Sequence, residues 1–518
     1  MPSKIALFWP GDYRPKPNEL ARPQIERATA QLESALRKLG RQSYRIDGFL
    51  TKPHEAIERL APIDDPLVGV CVHWFYGPHT TDGVVGKQNP LLLASNFSGS
   101  WPGLVGLLNT GACLASVGRE CSRIWTDVAD WTTDAVFMDR LAQWLSSGRI
   151  DYPADELAEP AGAAPDAAAL ADRVLGDIRR RRILALMLGD TSMGMINGYF
   201  GPRVLNPIGF TEHKVDQAWI IDRGRGIAEA RIADALRFVR EKGVEFHWRD
   251  VDAADFDERA TREQLRDYLA VVDLLAEFKA DCLGWQYQLG LLPLRPPSDF
   301  AEGLFNSACR PESSGEPLIT STEADQGNLV PMELMKRLLK AKGLHPAVMF
   351  HDVRWGGELD DRLAPCPVDA GRFVWVLLNS GSCGAYAFNH DPDTLRGVHS
   401  YRQPAAYFPV PGGTFAGESL PGAITWARAY LRGAELWMDI GRGEVLRLPP
   451  PLRDAWWQGT TRQWPFMAAD LGLRRDTLMA HYMSNHVAVA YGDIFAEMTT
   501  LCQALGFRVR VIGRGGGA

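Results

Sequence analysis

The first 150 residues alternate short apolar runs with amphipathic stretches. Apolar residues recur at helical spacing at Ile25, Ala28, Leu32 and Leu36, whereas the neighbouring runs are too short for helices. The predicted strands are 5–8, 67–74, 91–97 and 122–126, and the predicted helices include 103–117 and 133–145. This alternation of strand and helix predicts an open, mostly parallel sheet.

A second alternating series follows a segment without periodicity. Residues 151–168, DYPADELAEPAGAAPDAA, are rich in Pro, Ala and acidic residues, which is typical of a linker. The predicted elements beyond it are strands at 183–188 and 281–288 and helices at 227–241 and 261–278. The pattern indicates a second α/β domain.

The pattern changes again after about residue 356, where Gly and Pro separate short apolar runs. These runs are 373–378, 385–388, 406–409 and 436–440, followed by one helix at 493–505 and a strand at 508–512. They predict a third, largely antiparallel β domain. We therefore expect two doubly wound, mostly parallel α/β domains, 1–168 and 169–355, and a C-terminal, mainly antiparallel β domain, 356–518.

The bulk composition is consistent with a multidomain globular protein. The chain has 518 residues, more than the roughly 250–300 at which a single core stops growing. It is 46% hydrophobic and 23% charged, and its net charge of −7 is not gathered into a block of one sign. Nucleic acid and membrane surfaces are therefore not the expected partners.

The cysteines and the N-terminus predict a cytoplasmic protein. The eight cysteines never form a CxxC pair and mostly lie in apolar runs, which is typical of reduced, packed thiols. They are Cys71, Cys113, Cys121, Cys282, Cys309, Cys366, Cys383 and Cys502. The opening residues lack the features of a signal peptide, and no apolar stretch approaches the ~20 residues that span a bilayer.

Two carboxylates mark a candidate site in the second α/β domain. A strand-like segment ends at Glu323, a helix opens at Pro331 and stops at Gly343, and the next strand-like segment ends at Asp352. The spacing matches a strand–helix–strand unit of roughly 30 residues, so we expect two parallel, adjacent strands. Two acids at neighbouring strand ends repel unless a cation lies between them or one stays protonated, and a divalent metal is the simplest solution.

Simpler interpretations exist for each residue alone. Glu323 could cap the following turn, and Asp352 could pair with Arg354. A third metal ligand should come from elsewhere, and His486 opens an apolar, strand-like run that ends in a Gly-Asp turn. On sequence alone, His481, His351, His73 and His79 compete equally for that role.

Eight motifs, in order along nearly the whole chain, resemble the L-fucose isomerase family. They are GDTSMGMINGYFGP (189–202), GWQYQLGLLP (284–293), STEADQG (321–327), DVRW (352–355), LLNSGSCGAYAF (377–388), YFPVPGGT (407–414), TTRQWPF (460–466) and SNHVAVAYGD (484–493). The resemblance implies a homo-hexamer of three-domain subunits that interconverts aldoses and ketoses with Mn²⁺, or with another divalent metal such as Mg²⁺ or Co²⁺.

The resemblance also assigns roles to individual residues. Glu323, Asp352 and His486 match the metal ligands, with both carboxylates as proton shuttles. Residues that resemble the sugar-contacting positions are Gln288, Tyr407, Trp464, Asn485, Met193 and Trp74. The family's arrangement places the first domain of a neighbouring subunit over the site, which leaves open that Trp74 acts in trans.

The chain departs from the family pattern around this core. A second family histidine is replaced by Ala488, and a Gly-Thr-Glu-Arg-Pro-Gly loop by the shorter Gly99-Ser100-Trp101-Pro102-Gly103. Met before the aspartate has become His351, and His-Tyr after the arginine has become Trp355-Gly356. We therefore expect an isomerase of an L-fucose- or D-arabinose-like or substituted monosaccharide. The alternative is a sugar-binding or regulatory protein that lost turnover.

Overall fold

A computed structural model describes residues 4–190, 192–250, 253–312, 315–359, 372–378, 383–458 and 461–513. Cys366, one of the cysteines predicted to be reduced, lies outside these ranges. Among the described residues, no helix is both long enough and apolar enough to cross a bilayer.

The N-terminal region contains a five-stranded parallel sheet with the order β2-β1-β3-β4-β5. Its elements are β1 Lys4–Pro10, α1 Pro15–Lys38, β2 Gln42–Leu50, α2 Pro53–Leu60, β3 Leu67–Cys71, α3 Gly77–Val84, β4 Leu91–Asn96, α4 Gly103–Ser116, β5 Ser122–Thr126, a 3₁₀ helix Trp131–Thr133 and α5 Ala135–Ser147. The predicted face of α1 is buried, because Ile25, Ala28, Leu32 and Leu36 pack on this sheet.

The second region contains a four-stranded parallel sheet with the order β11-β10-β7-β8. The elements from the end of the first region onward are β6 Leu157–Ala158, α6 Pro165–Arg181, β7 Ile183–Leu188, a 3₁₀ helix Ile196–Gly198, α7 Pro202–Leu205, β8 Phe210–Val215, α8 Ala218–Arg225, α9 Glu229–Glu241, β9 Glu245–Phe246, α10 Glu258–Phe278, β10 Cys282–Trp285, α11 Asp299–Phe305, β11 Thr320–Thr322 and α12 Gln326–Ala341. Two doubly wound α/β units are thus present, as predicted.

The third region forms an eight-stranded sheet with the order β15-β18-β12-β13-β17-β16-β19-β6. Its elements are β12 Val348–Glu358, β13 Phe373–Leu378, α13 Tyr386–Asn389, β14 His399–Ser400, β15 Gly422–Arg432, β16 Glu435–Val445, α14 Pro450–Gln458, β17 Phe466–Asp470, α15 Arg475–His481, β18 His486–Tyr491, α16 Phe495–Ala504 and β19 Arg508–Ile512. β15 also pairs with β16, so six antiparallel strands close into a ring. The predicted β character of this region is confirmed.

The pairing predicted for the strands that carry Glu323 and Asp352 is wrong. β11 pairs in parallel with β10 at the edge of the second sheet, whereas β12 lies between β13 and β18 in the third sheet, antiparallel to both. α12 connects the two sheets and is buried along most of its length because it packs between them. Apart from β6, the strands of the third sheet therefore begin at Val348, before the boundary predicted after residue 355.

Three other local predictions also need correction. The segment 151–168 is not a structureless linker, since β6 pairs with β19 and α6 begins at Pro165. The run 385–388 lies in the short helix α13, and 406–409 lies in no strand. Four-residue apolar runs carry too little periodicity to distinguish a strand from a helical turn.

Candidate active site

A cavity of about 360 Å³ opens where the three regions meet, and its wall contains all nine residues predicted for the site. The predicted residues are Trp74, Met193, Gln288, Glu323, Asp352, Tyr407, Trp464, Asn485 and His486. They come from the three sheets and their connecting loops, so the cavity depends on the whole chain. The chain's own Trp74 lines it together with Trp101.

Glu323 reaches the cavity from a tight turn between β11 and α12. Glu323 and Ala324 both adopt left-handed backbone conformations, with φ of 58° and 52°. Such conformations cost about 1–3 kcal/mol each in non-glycine residues and cluster at functional sites. The turn is held by Asp325, the N-cap of α12, whose carboxylate accepts a hydrogen bond from the Gly327 N–H at 2.8 Å.

Asp352 and His486 are brought together by the pairing of β12 with β18. The two residues lie opposite each other in the antiparallel register, with Asp352 Oδ1 2.8 Å from His486 Nε2. Glu323 Oε2 lies 3.9 Å from the same nitrogen. Two carboxylates from different sheets therefore converge on one imidazole edge.

The opposite edge of the His486 ring is fixed by a buried ion pair that the sequence analysis missed. His486 Nδ1 lies 2.7 Å from Asp325 Oδ2, which also accepts a hydrogen bond from the fully buried Arg428. The Tyr482 hydroxyl donates to the His486 carbonyl at 2.8 Å. Asp325 therefore sets the orientation of His486, as carboxylates do for metal-binding histidines.

The buried carboxylates and His486 shift one another's pKa values. Burial, reinforced by the Asp352 carboxylate, raises the pKa of Glu323 to about 7. Burial on its own lowers the pKa of His486, but Asp352, Asp325 and Glu323 raise it to about 9. Burial opposes ionisation of Asp325, yet Arg428 and His486 hold its pKa below the ordinary value.

The residues present fit a divalent cation. Glu323 Oε2, Gln288 Oε1 and Asn485 Oδ1 are buried and have no hydrogen-bond partner among the described residues. Buried oxygens without partners are costly, and a hard cation satisfies them. Glu323, Asp352 and His486 supply the carboxylate and imidazole ligands that Mn²⁺ and similar ions accept.

Two of the predicted sugar-contacting residues also position the carboxylates. Gln288 Nε2 donates to Glu323 Oε1 at 2.9 Å, and Asn485 Nδ2 donates to Asp352 Oδ1 at 3.1 Å. Trp464 donates from Nε1 to Gln403 Oε1 at 2.7 Å, which fixes its ring in the wall. Arg354 lies over that ring, 3.5 Å from Asp352 Oδ2, so the simple pairing considered for Asp352 is present alongside the cluster.

The competing histidines occupy other environments. His73 lines the cavity, but its Nε2 contacts Asn18 Oδ1 at 3.0 Å and burial lowers its pKa to about 4. His351 lies 3.9 Å from Cys383 Sγ, His79 stacks on Tyr76, and His481 contacts the Pro153 carbonyl. In the described part of the chain, His486 alone among these five contacts Glu323 and Asp352.

Comparison with known proteins shows partial similarity to L-fucose isomerases. The profile of the L-fucose isomerase C-terminal domain matches residues 377–513. L-fucose isomerase of Vibrio vulnificus (strain YJ016) is 26% identical over 255 residues, a match that spans 43% of this chain and 42% of the relative. The chain is therefore similar to L-fucose isomerases over its C-terminal region and over less than half of its length.

The profile match to the L-fucose isomerase domain covers only part of the cavity. Tyr407, Trp464, Asn485 and His486 fall inside 377–513, whereas Glu323 and Asp352 precede it. The cavity geometry supplies the link between the two parts, because β12 and β18 are neighbours in the sheet.

Two departures from the L-fucose isomerase pattern contact each other. The shortened loop contributes Gly99, Ser100, Trp101 and Pro102 to the cavity wall, and a Cβ at Gly99 would lie 2.7 Å from the Trp355 ring. The altered loop and Trp355 are therefore one packed unit beside the candidate ligands. Ala488, in place of the second family histidine, is fully buried among apolar residues.

Proposed function

We propose that this chain is a divalent-metal-dependent aldose–ketose isomerase that acts on a monosaccharide through an enediol intermediate. The observation that carries the proposal is the convergence of Glu323, Asp352 and His486 in one cavity, with Asp325 behind the imidazole. Glu323, Asp352 and His486 would hold the metal, with Mn²⁺ preferred over Mg²⁺ or Co²⁺. Similarity to L-fucose isomerases supports a sugar as the substrate class.

The difficult step of the reaction is the removal of a proton from carbon C2. Moving a carbonyl from C1 to C2 removes a proton from C2, adds one at C1, and transfers a hydroxyl proton from O2 to O1. The metal, when bound, would act as a Lewis acid on the sugar oxygens and lower the cost of the developing negative charge. Glu323 and Asp352 would carry the protons, since both carboxylates lie at the cavity wall.

The remaining wall residues would orient the sugar. Gln288 and Asn485 hold the two carboxylates in place. Their amide oxygens, which have no hydrogen-bond partner among the described residues, would accept hydrogen bonds from the hydroxyls of a sugar. Trp464, Tyr407 and Trp74 offer aromatic faces to the C–H side of a sugar ring or chain. The shortened loop, which brings Trp101 to the cavity and packs Gly99 against Trp355, changes the wall relative to the family pattern and favours a substituted or otherwise unusual sugar as substrate.

The proposal extends to the cellular context. We place the enzyme in the cytoplasm as a homo-hexamer, by analogy with the family, with three domains near the boundaries inferred from the sequence. The chain's own Trp74 at the cavity supports a site whose wall each subunit can supply from its own N-terminal region.

Isomerisation in heavy water tests the proton-transfer mechanism. With a panel of L- and D-aldoses and Mn²⁺, the ketose product is expected to carry deuterium at C1, because a carboxylate exchanges its proton with solvent. NMR of the product measures the incorporation. Turnover without any deuterium on carbon would replace the enediol route by a hydride shift.

The same panel separates an enzyme from its non-catalytic alternative. If sugars bind the metal-loaded protein but none is converted, the chain is a sugar-binding or regulatory protein on this fold. That alternative draws on the altered loop at 99–103, which brings Trp101 to the cavity wall. It gives no reason for three potential metal ligands to converge with an orienting carboxylate behind one of them.

A further inference from the structure

A second group of potential ligands lies where β9 meets β14, outside the cavity wall. Glu245, His247 and His399 place one ligand atom each within 4.8 Å of the others. His247 Nε2 is 3.1 Å from His399 Nδ1, and Glu245 Oε2 is 3.4 Å from that same nitrogen. None of the three lines the candidate active site.

The backbone holds these side chains in one place. β9 and β14 pair in parallel with Glu245 opposite His399, and residues 245 and 247 point to the same face of an extended chain. The His247 N–H bonds the Ser400 carbonyl at 3.0 Å, and His399 exchanges two backbone hydrogen bonds with Ala416. The His247 ring stacks on Tyr401 with centroids 4.1 Å apart, which fixes its plane.

One hydrogen bond accounts for only one of the two close contacts of His399 Nδ1. His399 Nδ1 carries at most one proton, yet both His247 Nε2 and the Glu245 carboxylate approach it. One proton bridges only one of the two contacts, whereas a cation bridges both. Tetrahedral zinc with ligands at about 2.0–2.1 Å places its ligand atoms about 3.3–3.4 Å apart. The distances from His399 Nδ1 to His247 Nε2 and to Glu245 Oε2, 3.1 and 3.4 Å, are close to this value.

We propose that Glu245, His247 and His399 form a second, non-catalytic site for a borderline transition-metal ion such as Zn²⁺. Two imidazoles and one carboxylate are a common zinc donor set, and the exposure of Glu245, with the two histidines half-buried, leaves the remaining position to water. The ion would tie β9, which follows the second region's helices, to β14 of the third region. β14 leads directly into the segment that carries Gln403 and Tyr407, so the ion would also stiffen one wall of the cavity.

A nearby cation should weaken the site. Burial, with a smaller contribution from the Arg462 guanidinium, lowers the pKa of His399, and that guanidinium lies 3.8 Å from the Trp457 ring centroid. Its positive charge opposes a dication at the neighbouring imidazole. Arg462→Gln should therefore tighten zinc binding several-fold, an effect that a purely packing role for Arg462 would not produce.

Counting bound zinc tests the proposal. The full chain, stripped with a chelator and dialysed against Zn²⁺, is expected to hold one more equivalent than His399→Gln or His247→Gln, measured by mass spectrometry of the metal. Glu245→Gln changes an exposed side chain and should weaken the site at least ten-fold while leaving ring packing intact. The exposed His54 provides the matched control, and His54→Gln should bind as much zinc as the natural chain.

The comparison is independent of the proposed isomerase site. If Glu323, Asp352 and His486 bound no metal, the natural chain would hold one equivalent instead of two, and the difference from His399→Gln would remain. His399→Gln should retain isomerase activity with Mn²⁺ and lose the rise in melting temperature that Zn²⁺ gives the Mn²⁺-loaded natural protein. Equal zinc contents in the natural chain and in the folded His247, His399 and Glu245 variants would overturn the second site.

Discussion

Glu323→Gln is expected to lower kcat by about 10³-fold or more, within the range of roughly 10²–10⁴-fold that proton-transfer residues contribute. The substitution keeps the shape of the side chain and an oxygen that can accept the hydrogen bond from Gln288. It removes the charge beside His486 and the group able to take a proton from C2. Initial rates with a ketose-forming sugar and saturating Mn²⁺ measure the effect.

The control separates the loss of this carboxylate from a general change in charge. Glu277→Gln removes an exposed glutamate that pairs with Arg223 far from the cavity wall, and it should leave kcat within two-fold of the natural value. Glu323→Gln should retain the native circular dichroism spectrum. A Glu323→Gln protein with near-natural kcat would remove Glu323 from the proposed chemistry.

Asp325→Asn is expected to destabilise the protein by about 3–5 kcal/mol, because it leaves the buried Arg428 guanidinium without its counter-charge. The two side chains are fully buried, so solvent cannot replace the lost partner. The same change removes the carboxylate that orients His486 and should weaken Mn²⁺ binding by about 10–100-fold. Thermal or urea unfolding measures the first effect, and Mn²⁺ titration of activity measures the second.

A double-mutant cycle distinguishes a charge pair from simple packing. Arg428→Met should also destabilise, but Asp325→Asn combined with Arg428→Met should cost less than the sum of the single changes, since no unpaired buried charge remains. Activity of Asp325→Asn should recover at high Mn²⁺ concentration, which a purely structural role would not produce. Additive stability losses together with unchanged Mn²⁺ dependence would contradict the positioning role of Asp325.

Periodicity was sufficient to predict most regular elements. The helical spacing of Ile25, Ala28, Leu32 and Leu36 produces α1, and the short apolar runs near 183 and 282 become buried parallel strands. These signals are local and depend only on which face is buried. Their success extends to fold class, because alternating strands and helices allow few arrangements.

The assembly of the site depends on contacts that a local pattern does not encode. The spacing of Glu323 and Asp352 fits a parallel unit, but α12 is buried along most of its length and packs between two sheets, and β12 pairs with β18 instead of β11. The two acids still approach one nitrogen of His486, through a different sheet pairing. The choice of His486 among the histidines as the third metal ligand rests on the family resemblance. Its partner Asp352 lies 134 positions away, and the register of β12 with β18 cannot be derived from spacing.

Asp325 shows what could have been inferred in addition. An acidic residue directly before a helix is a typical N-cap, and that signal was present in STEADQG. Its second role, holding His486 against Arg428, requires three distant segments to meet in a buried space. A single sequence gives no indication of that meeting.

Glu323, Asp352 and His486 are expected to share one divalent ion. The most direct measurement is a crystal structure of the protein soaked with Mn²⁺ and a polyol, using the anomalous signal of manganese. A manganese peak is expected within coordination distance of Glu323, Asp352 and His486, with the polyol between the peak and Trp464. A fully folded crystal with saturating Mn²⁺ and no peak among those three residues would contradict the account, whatever is bound at Glu245, His247 and His399.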